Sequence, residues 1–508
     1  MGSGPEPGVI RAADLPAPVR EVLDRLRAAG HEAAIVGGCV RDLLRGITPT
    51  DWDVTTSAPP EVVAGVFPGS TWENPFGTVT VRVGRDRAPV EVTTYRVEAG
   101  YRDHRRPAEV RWGASLLDDL GRRDFTVNAV AWVPPSGDAP SGDAPSAPGR
   151  IEDPFGGRAD LDAGLLRAVG DPDERFTEDA LRLLRAVRFA TRLGLRIEEE
   201  TARAIRRNAG LASGLSGERV REELLRILGS DPPAAPPSVA LRLLDDLGIL
   251  GVILPELTAL HEVPQAKALA GDAFDHSLRT ADALPAGDPL LRLIGTLHDV
   301  GKATTLANGH FLGHETVGAR MVEAILRRLR CSRAAVSRGE RLVRQHMFDY
   351  RPDWTDAAVR RFIRRVGASD LPDLFALRRA DNAASGVREP ERGGLDELRA
   401  RVGAELASHP LSARQLAIRG DDLTEALAIP PGPVVGRLLA RLLETVLDDP
   451  QRNERSTLLS LAGAWLPEEL ASERARASTN RALRGAEAGP AGGAFEHRHV
   501  PRERADPE

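Results

Sequence analysis

Residues 36–56 read Val36-Gly37-Gly38-Cys39-Val40-Arg41-Asp42-Leu43-Leu44-Arg45-Gly46-Ile47-Thr48-Pro49-Thr50-Asp51-Trp52-Asp53-Val54-Thr55-Thr56. The apolar run 33–36 predicts a short strand, and the glycine pair allows a tight turn that comes close to a ligand. The residues from Val40 onward predict a short helix, whose first N–H groups favour an anion. The stretch therefore predicts a phosphate-binding turn between a strand and a helix.

Two aspartates follow on a second predicted strand. Asp51 and Asp53 are two residues apart, so they share a face, with about 6.5–7 Å between their Cα atoms. Oxygen ligands at this spacing suit a Mg²⁺ ion that also binds phosphates. An isolated Asp-x-Asp is more often a surface turn, but the preceding Gly-Gly and Arg41-Asp42 favour the metal site. Glu91, on a later predicted strand, is either a third carboxylate beside them or a polar residue on the solvent face.

Composition narrows the class of protein. A chain of 508 residues suggests three or four domains, and its apolar (42%) and charged (28%) fractions are those of an ordinary water-soluble protein. The sequence has no apolar run of about 18 residues and no signal-peptide pattern, so we expect no membrane span and a cytoplasmic location. The two cysteines, Cys39 and Cys331, cannot form a disulfide framework. A net charge of −6 requires any nucleic-acid contact to lie on a local basic face.

The pattern of elements changes along the chain from strands with helices to helices alone. Residues 134–150 repeat Ser-Gly-Asp-Ala-Pro and predict a disordered insertion, and residues 97–113 predict a basic loop. We predict a flexible N-terminus (1–14), an α/β head (15–170), a helical neck and body (171–262), a histidine-rich helical domain (263–390), a helical tail domain (391–466) and a disordered end (467–508).

A charged stripe is expected on the predicted helix 178–193. Steps of three residues place Asp179, Arg182, Arg185 and Arg188 on one face. An Asp and an Arg one turn apart can match the edge of a base, and further arginines can hold phosphates. The alternative is a ladder of salt bridges on a solvated helix. The run Arg122-Arg123-Asp124 has two similar interpretations, namely triphosphate and ribose recognition or a charge cluster at a helix end.

A second group of candidate ligands lies further along the chain. The apolar segment 291–297 leads into His298-Asp299, so this pair comes from a buried element. Imidazole and carboxylate together suit a divalent transition metal, and Mg²⁺ or Mn²⁺ less exclusively. An isolated histidine is more often structural than a ligand. The complete set is His276, His298, Asp299, His314, His346 and Asp381, with Lys302 beside it.

Five motifs in order resemble those of the class II CCA-adding tRNA nucleotidyltransferases and the bacterial poly(A) polymerases, over about residues 15–260. They are Gly37–Asp42, Asp51–Asp53, Arg122–Ala129, Glu178–Arg182 and Ser216–Leu224. The resemblance implies an α+β fold with a small polymerase-β-type head of mixed sheet and helices. An all-α body, an all-α HD domain and a helical tail are expected to follow.

The resemblance also implies roles for the residues of the head and neck. Asp51 and Asp53, with Glu91 as a candidate third carboxylate, would bind Mg²⁺ and carry the catalysis. Asp179 and Arg182 would read the base of CTP or ATP. The other nucleotide-binding residues implied are Gly37, Gly38, Arg41, Asp42, Arg123, Asp124, Asn128, Arg185 and Arg188.

The histidine-rich region resembles the HD phosphohydrolase superfamily over about residues 270–385. The resemblance implies a divalent metal (Mn, Ni, Fe, Zn or Mg) held by His276, His298, Asp299 and Asp381. His314 and His346 match positions that complete a second metal site in some members, and Lys302 would contact a phosphate. Such a domain is either a phosphodiesterase or phosphatase acting on RNA 3′ ends or 2′,3′-cyclic phosphates, or an inert scaffold.

The expected function is a tRNA nucleotidyltransferase that adds or repairs the 3′-terminal CCA from CTP and ATP with Mg²⁺, without a nucleic-acid template. Ala180 favours this activity, since bacterial poly(A) polymerases more often carry proline there. The alternatives are a CC-only or A-only adding enzyme or a poly(A) polymerase, and an HD phosphohydrolase with an RNA-binding head. The tail domain is either a plain helical core or a contact to the tRNA elbow, and the oligomeric state stays open.

Overall fold

The computed structural model describes residues 8–72, 77–84, 89–102, 106–112, 115–135, 148–229, 234–265, 268–386, 394–409 and 411–487. The chain forms two compact units, one of residues 1–348 with 372–392 and the other of residues 349–371 with 393–508. None of the helices in the described ranges combines the length and the apolarity that a membrane crossing needs.

The strands all lie in the first unit. They are β1 Ala33–Val36, β2 Asp53–Thr56, β3 Thr78–Val81, β4 Val90–Thr94, β5 Arg96–Arg102, β6 Arg106–Trp112, β7 Ala131–Val133, β8 Arg150–Glu152, β9 Leu165–Leu166 and β10 Arg196–Ile197.

Helices make up most of the described chain. In chain order they are α1 Ala17–Ala28, α2 Gly38–Leu44, α3 Pro60–Val66, α4 Leu116–Gly121, α5 Gly157–Asp162, α6 Pro172–Glu178, α7 Leu181–Leu193, α8 Glu199–Asn208, α9 Gly217–Leu228, α10 Pro237–Asp246, α11 Leu250–Ile253, α12 Pro255–Thr258, α13 Ala273–Ala283, α14 Pro289–Leu297, α15 Lys302–Thr305, α16 His314–Arg328, α17 Arg333–Gln345, α18 Asp356–Val366, α19 Leu371–Ala384, α20 Leu395–Ser408, α21 Gly420–Ala426, α22 Pro433–Asp448 and α23 Arg455–Glu487.

The head is built on a mixed sheet whose described strands run in the order β3-β4-β2-β1-β7-β8. β2 and β4 are parallel, and the other neighbours are antiparallel. β1 lies inside the sheet and is buried along its length, which explains its continuous apolar sequence. In β4, Val90 and Val92 point into the core, while Glu91 lies on the open face beside Asp53.

Of residues 97–113, the described ones, 97–102 and 106–112, are not the loop expected from their basic composition. They belong to an antiparallel pair, β5 and β6, in register from Arg96 opposite Trp112 to Arg102 opposite Arg106. Backbone hydrogen bonds hold such a pair, and charged side chains on its faces do not prevent them. The loop prediction was wrong because it rested on composition alone.

The N-terminal segment has defined structure from residue 8 onward, whereas the sequence predicts a flexible N-terminus over residues 1–14. Residues 1–7 lie outside the described ranges, but Ile10 is buried and its carbonyl accepts a hydrogen bond from Trp132 Nε1 (3.0 Å). Residues Ala12–Asp14 form a 3-10 helix. The apolar side chains of Ile10 and Leu15 bind this segment to the head core. Of the expected insertion 134–150, residues 136–147 lie outside the described ranges, and β8 begins at Arg150.

The C-terminal end also differs from the expected disorder of residues 467–508. Helix α23 continues through residues 467–487, and residues 488–508 lie outside the described ranges. Alanine, arginine and glutamate are strong helix formers, so a polar composition is compatible with a helix here. Arg437 of α22 pairs with Glu469 and Glu473 at 2.7 Å each.

The second unit has its own apolar core between α21, α22 and α23. The apolar residues at helical spacing in the predicted tail domain, such as Leu423, Leu438 and Leu442, are fully buried in it. Residues 349–371 belong to this unit, although the sequence placed them with the histidine-rich domain. Buried Arg360 explains this, since it donates to the carbonyl of Leu447 (2.6 Å) and pairs with Glu405 (3.0 Å). The other domain limits stay predictions.

Candidate active site and metal centre

The turn between β1 and α2 has the backbone geometry expected for Gly37. Its φ is +83°, in the left-handed region, and its N–H donates to the carbonyl of Val130 (3.1 Å). A Cβ at this position would lie 2.8 Å from Arg123 Nη1. A Cβ at Gly38 would lie 3.5 Å from Arg41, which is an ordinary contact. The backbone conformation therefore requires glycine at 37, and a Cβ there would also displace the end of Arg123, whereas position 38 is less restricted.

The candidate carboxyl groups of the head lie at the start of β2 and on the neighbouring strand β4, and Asp51 precedes β2, which begins at Asp53. Glu91 is the register partner of Asp53 across the parallel strands β2 and β4, and Asp51 lies two residues before Asp53. Burial raises the pKa of Asp53, Arg123 opposes this rise, and the charge of Asp51 adds to it. Burial, then Asp53 and Asp51, raise the pKa of Glu91. The charges of neighbouring carboxyl groups thus act on both Asp53 and Glu91, and an all-oxygen donor set suits Mg²⁺.

A hydrogen-bonded chain of charged side chains connects the turn to the neck. Buried Arg41 donates to Asn128 Oδ1 (2.6 Å) and to Asp42 (2.9 Å). Asn128 Nδ2 donates to Asp124 Oδ1 (3.0 Å), whose other oxygen accepts from Arg185 Nε (2.8 Å) and Nη2 (2.6 Å). Burial opposes ionisation of Asp124, but Arg185 and Asn128 outweigh it and lower the pKa to about 2. Asp124 is thus a permanent anion between head and neck.

Arg123 has donor capacity left beside the carboxyl groups. Its Nη2 lies 3.6 Å from Asp119, which pairs more closely with Arg122 (2.7 Å). The Nε of Arg123 is buried and has no hydrogen-bond partner within the described part of the chain. Burial favours the neutral form of Asp119, but Arg122 and then Arg123 lower its pKa overall. An arginine with an unused buried donor next to Gly37 is suited to binding an anionic ligand.

The neck differs from the single helix expected over residues 178–193. Helix α6 ends at Glu178, Asp179 is extended, and α7 begins at Leu181. The Asp179 carboxylate accepts the backbone N–H of Leu181 (3.0 Å), so the side chain competes with the helix for that donor. Asp179 therefore does not lie on the helix that carries Arg182, Arg185 and Arg188, and the predicted charged stripe is wrong for this residue.

Asp179 and Arg182 also have separate partners. Arg182 is buried, and it donates to Glu178 (2.7 Å) and to the carbonyls of Arg175 (3.0 Å) and Arg122 (2.9 Å). Asp179 pairs with Arg219 Nη2 (2.8 Å). The other terminal nitrogen of Arg219 is buried without a hydrogen-bond partner among the described residues.

Sequence reasoning missed three residues of this region. Arg219 lies opposite Asp179, and Glu223 forms a buried ion pair with Arg188 (2.6 Å). Both belong to the Ser216–Leu224 motif, which was a signal in the sequence, although it indicated no roles. Phe189 was not among the predicted site residues. The guanidinium groups of Arg188, Arg185 and Arg41 lie 4.2, 5.1 and 5.6 Å from its ring centroid, within the range of cation–π attraction.

The six candidate ligands of the histidine-rich region come together in one buried centre. They are His276 from α13, His298 and Asp299 after α14, His314 at the start of α16, His346 at the end of α17 and Asp381 from α19. His276 Nε2 lies 3.1 Å from Asp381 and 3.5 Å from Asp299, and His298 Nε2 lies 3.3 Å from Asp299. His314 and His346 Nε2 lie 3.5 and 3.7 Å from the other oxygen of Asp299.

Three of these histidines have the tautomer of a metal ligand. The Nδ1 atoms of His298, His314 and His346 lie 2.7, 2.8 and 2.6 Å from the carbonyls of Gly295, Phe311 and Val343. A carbonyl only accepts, so Nδ1 carries the proton and Nε2 presents a lone pair. In the described structure the Nε2 atoms of His314 and His346 are buried without a hydrogen-bond partner. Two such acceptors beside an aspartate fit a divalent cation.

Asp299 and Lys302 complete this centre. Burial favours the neutral form of Asp299, but its contacts with His298, His346 and Lys302 hold its pKa well below the ordinary range. Lys302 Nζ pairs with Asp299 (2.6 Å) and donates to Gln265 (3.3 Å). Lys302 thus lies in the centre, as the sequence predicts, with Asp299 as its partner.

Together, the sheet, the carboxyl group cluster and the histidine centre define a nucleotidyltransferase head joined to an HD metal domain. Family models match in the same order: a poly(A) polymerase head domain at residues 33–167, a probable RNA and SrmB-binding site of polymerase A at 194–260, an HD domain at 273–386 and a tRNA nucleotidyltransferase domain 2 at 397–462.

Comparison with similar proteins identifies the family within this class of nucleotidyltransferases. The CCA-adding enzyme of Lactiplantibacillus plantarum is 31% identical over 447 residues, which cover 87% of this chain and 95% of the relative. The A-adding tRNA nucleotidyltransferase of Deinococcus radiodurans is 36% identical over 432 residues, covering 81% of this chain and 91% of the relative. The chain belongs to this family of CCA-adding and A-adding tRNA nucleotidyltransferases.

Solved structures agree with the fold. The crystal structure of the Bacillus stearothermophilus CCA-adding enzyme in complex with CTP matches with a TM-score of 0.60 and 28% identity, and covers 91% of this chain and 100% of that chain. The structure of a CCA-adding enzyme in apo form II has a TM-score of 0.57 at 20% identity, with 90% of this chain covered. The predicted α+β fold and the suspected family are confirmed.

Proposed function

We propose that the head transfers nucleotides from CTP and ATP to the 3′ end of tRNA, and so builds or repairs the terminal CCA without a nucleic-acid template. The observation that carries this proposal is the pairing of Asp53 with Glu91 across β2 and β4, together with an arginine-lined glycine turn and a polar neck site in the same unit. The printed names of the relatives and the CTP complex of the similar structure support the same substrates.

The chemistry follows from the residues around the turn. Asp51, Asp53 and Glu91 would hold Mg²⁺, which supplies the positive charge that favours an ionised RNA 3′ hydroxyl and a departing pyrophosphate. Arg41 and Arg123 would bind the triphosphate against the Gly37 turn and orient it. The RNA 3′ oxygen then forms a bond to the α-phosphorus as the bond to pyrophosphate breaks. The protein contributes mainly positioning and charge, as is general for phosphoryl transfer.

The base is read at the neck. Asp179 would supply an acceptor and the unused Nη1 of Arg219 a donor, and Arg182 would supply donors by exchanging its present partners, Glu178 and the carbonyls of Arg175 and Arg122. Such acceptors and donors can match the edge of cytosine or adenine. Asp124, Asn128, Arg185 and Arg188 would support this site, because their hydrogen bonds and ion pairs connect the neck to Arg41. Gly38 and Asp42, at the start of α2, would complete the triphosphate-binding site. Protein side chains, instead of a template strand, thus determine which nucleotide is added.

One assay with three substrates tests the product. Transcripts of tRNA that lack CCA, that end in C or that end in CC are incubated with CTP, ATP and Mg²⁺. We expect all three to be completed to CCA. An A-adding enzyme, as the Deinococcus relative is named, would extend only the CC-ending tRNA and only with AMP. Addition of many adenylates to an unrelated RNA would instead show a poly(A) polymerase and refute the proposal.

A second candidate function rests on the histidine centre. The orphaned Nε2 atoms beside Asp299 favour a divalent metal (Mn, Ni, Fe, Zn or Mg), held by His276, His298, Asp299 and Asp381, with His314 and His346 as candidate ligands of a second ion. When bound, such a metal supplies a hydroxide nucleophile near neutral pH. Lys302 would bind the phosphate. We infer hydrolysis of phosphodiesters or phosphomonoesters at RNA 3′ ends, including 2′,3′-cyclic phosphates.

The hydrolase proposal is tested with 2′,3′-cyclic AMP and with tRNA that ends in a 2′,3′-cyclic phosphate. Hydrolysis is measured after adding each of the five metals to chelator-treated protein. We expect activity with at least one metal and none in the His298→Ala variant. If no metal supports hydrolysis in the wild type, the domain is a scaffold.

A further inference from the structure

Helix α9 carries two side chains of the nucleotide site and is held at both of its ends by helices of the HD domain. Arg219 of α9 pairs with Asp179, and Glu223 pairs with Arg188. The position of α9 therefore sets the position of both groups. The contacts that hold α9 in place therefore also affect how the base of the nucleotide is recognised.

At its first turn, α9 contacts the end of α16. A Cβ at Gly217 would overlap the carbonyl oxygen of Arg328, so only glycine allows this approach. Arg221 donates from Nη1 to the carbonyls of Leu329 (3.3 Å) and Arg330. The last carbonyls of a helix lack partners within it, and a cation there also interacts favourably with the helix dipole.

The segment that accepts the hydrogen bonds of Arg221 has a specific backbone conformation. Arg330 has φ +55°, a left-handed conformation that costs about 1 kcal/mol or more for a residue with a Cβ. The N–H groups of Arg330 and Cys331 bond back to the carbonyls of Arg327 and Leu326, which closes the helix end. Arg328 forms two bonds to Glu256 (2.6 and 2.8 Å) and so ties the same end of α16 to the body.

At its last turn, α9 contacts the start of α14. Buried Arg292 donates from Nη1 to the carbonyl of Leu228 (2.6 Å) and from Nε to the carbonyl of Leu284 (2.9 Å). Helix α14 leads directly into His298, and α16 begins at His314. The two helices that hold α9 therefore also deliver ligands to the histidine centre.

We propose that Arg221, Gly217 and Arg292 are positioning residues of nucleotide addition. Through them the HD domain holds α9 in the position at which Arg219 contacts Asp179. This inference rests on the proposed function of the head. It gives the HD domain a role in selecting the nucleotide that needs no hydrolysis.

The test compares Arg221→Met and Gly217→Ala with two matched controls. Arg327→Met removes an arginine of α16 that is 69% exposed and pairs only locally with Glu323. Gly210→Ala adds a Cβ where nothing lies within 4 Å. Addition of CMP and AMP to the appropriate tRNA ends is measured against CTP and ATP concentration, and thermal unfolding is recorded for each variant.

We expect Arg221→Met and Gly217→Ala to raise KM for the correct nucleotide about tenfold and to weaken the discrimination between CTP and ATP, since each loses contacts that fix Arg219. Arg221→Lys should restore part of this loss, and both controls should stay within twofold of the wild type. The positioning role is refuted if KM and discrimination are unchanged in both variants, including when they only melt earlier. A wild type that extends no tRNA end would refute the proposed function as well.

Discussion

At the scale of single residues, the Asp124 carboxylate connects the head to the neck by accepting hydrogen bonds from Asn128 and Arg185. Its pKa is lowered from 3.8 to about 2 by Arg185 and Asn128 against the cost of burial. A lowered folded-state pKa gives stability that is complete above the unfolded pKa and is lost as the pH falls from about 4 to about 2. A shift of this size corresponds to roughly 2 kcal/mol.

The first prediction follows for the Asp124→Asn variant. The difference in free energy of unfolding between wild type and variant, measured with urea, should shrink by about 2 kcal/mol between pH 6 and pH 2. Asn cannot lose a proton, so the variant cannot contribute this pH dependence. Asp118→Asn, an exposed carboxyl of the same domain, serves as the control. A difference that does not change with pH would contradict the account.

Gly37 gives a second prediction at this scale. Gly37→Ala forces φ +83° on a residue with a Cβ and places that Cβ 2.8 Å from Arg123 Nη1. We expect a strain of about 1–2 kcal/mol and a rise in KM for nucleotide of at least about tenfold, measured by tRNA extension. Gly30→Ala is the matched control, because Gly30 has φ +85° and nothing within 4 Å. The Gly30→Ala variant should lose stability while its KM for nucleotide stays unchanged. An equal rise in KM in both variants would show that backbone strain alone causes the rise.

At the scale of elements, part of the head sheet was readable locally, but β5 and β6 and the pairing of the strands were not. The period of two in Asp51-Trp52-Asp53 predicts both aspartates on one strand, whereas β2 begins at Asp53 and Asp51 lies just before it. Whether Glu91 joins them depends on the parallel register of β2 with β4, which involves residues far apart in the chain. The break at Asp179 depends on one side chain bonding to the next N–H, a choice that helical spacing does not reveal.

The register of β2 and β4 carries the third prediction. If Glu91 shares the site of Asp53, Glu91→Gln should slow nucleotide addition at least about tenfold and shift the Mg²⁺ dependence to higher concentration, because one anionic ligand is lost. The check is a Mg²⁺ titration of the rate of tRNA extension. Glu61→Gln, on the exposed start of α3, is the control. An unchanged Mg²⁺ dependence would place Glu91 on the solvent face only.

At the scale of the whole molecule, the order of motifs along the chain indicated the family and the α+β fold, because each motif is a local pattern. The assignment of residues 349–371 to the second unit was not predictable, since it depends on Arg360 reaching Leu447 and Glu405 far along the chain. The helix at 467–487 was missed for the related reason that composition does not show what a polar helix packs against.

The histidine centre yields the fourth prediction. A metal that binds only the folded protein stabilises it, by about 2.7 kcal/mol at a hundredfold excess over Kd. We expect Mn²⁺ or Ni²⁺ to raise the Tm of chelator-treated wild type and to have no such effect on the His298→Ala/His346→Ala double variant. The measurement is thermal unfolding with and without metal. Equal shifts in both proteins would mean that the metal binds elsewhere.

The most direct test of the head as the transferase site is single-turnover addition of AMP to a tRNA ending in CC. We expect Asp51→Asn/Asp53→Asn to slow this step at least about a thousandfold, since the charge that stabilises the transition state is lost. The His298→Ala/Asp299→Ala variant should keep a rate within tenfold of the wild type. Addition that survives in the first variant, or is abolished in the second while the protein stays folded, would contradict the account.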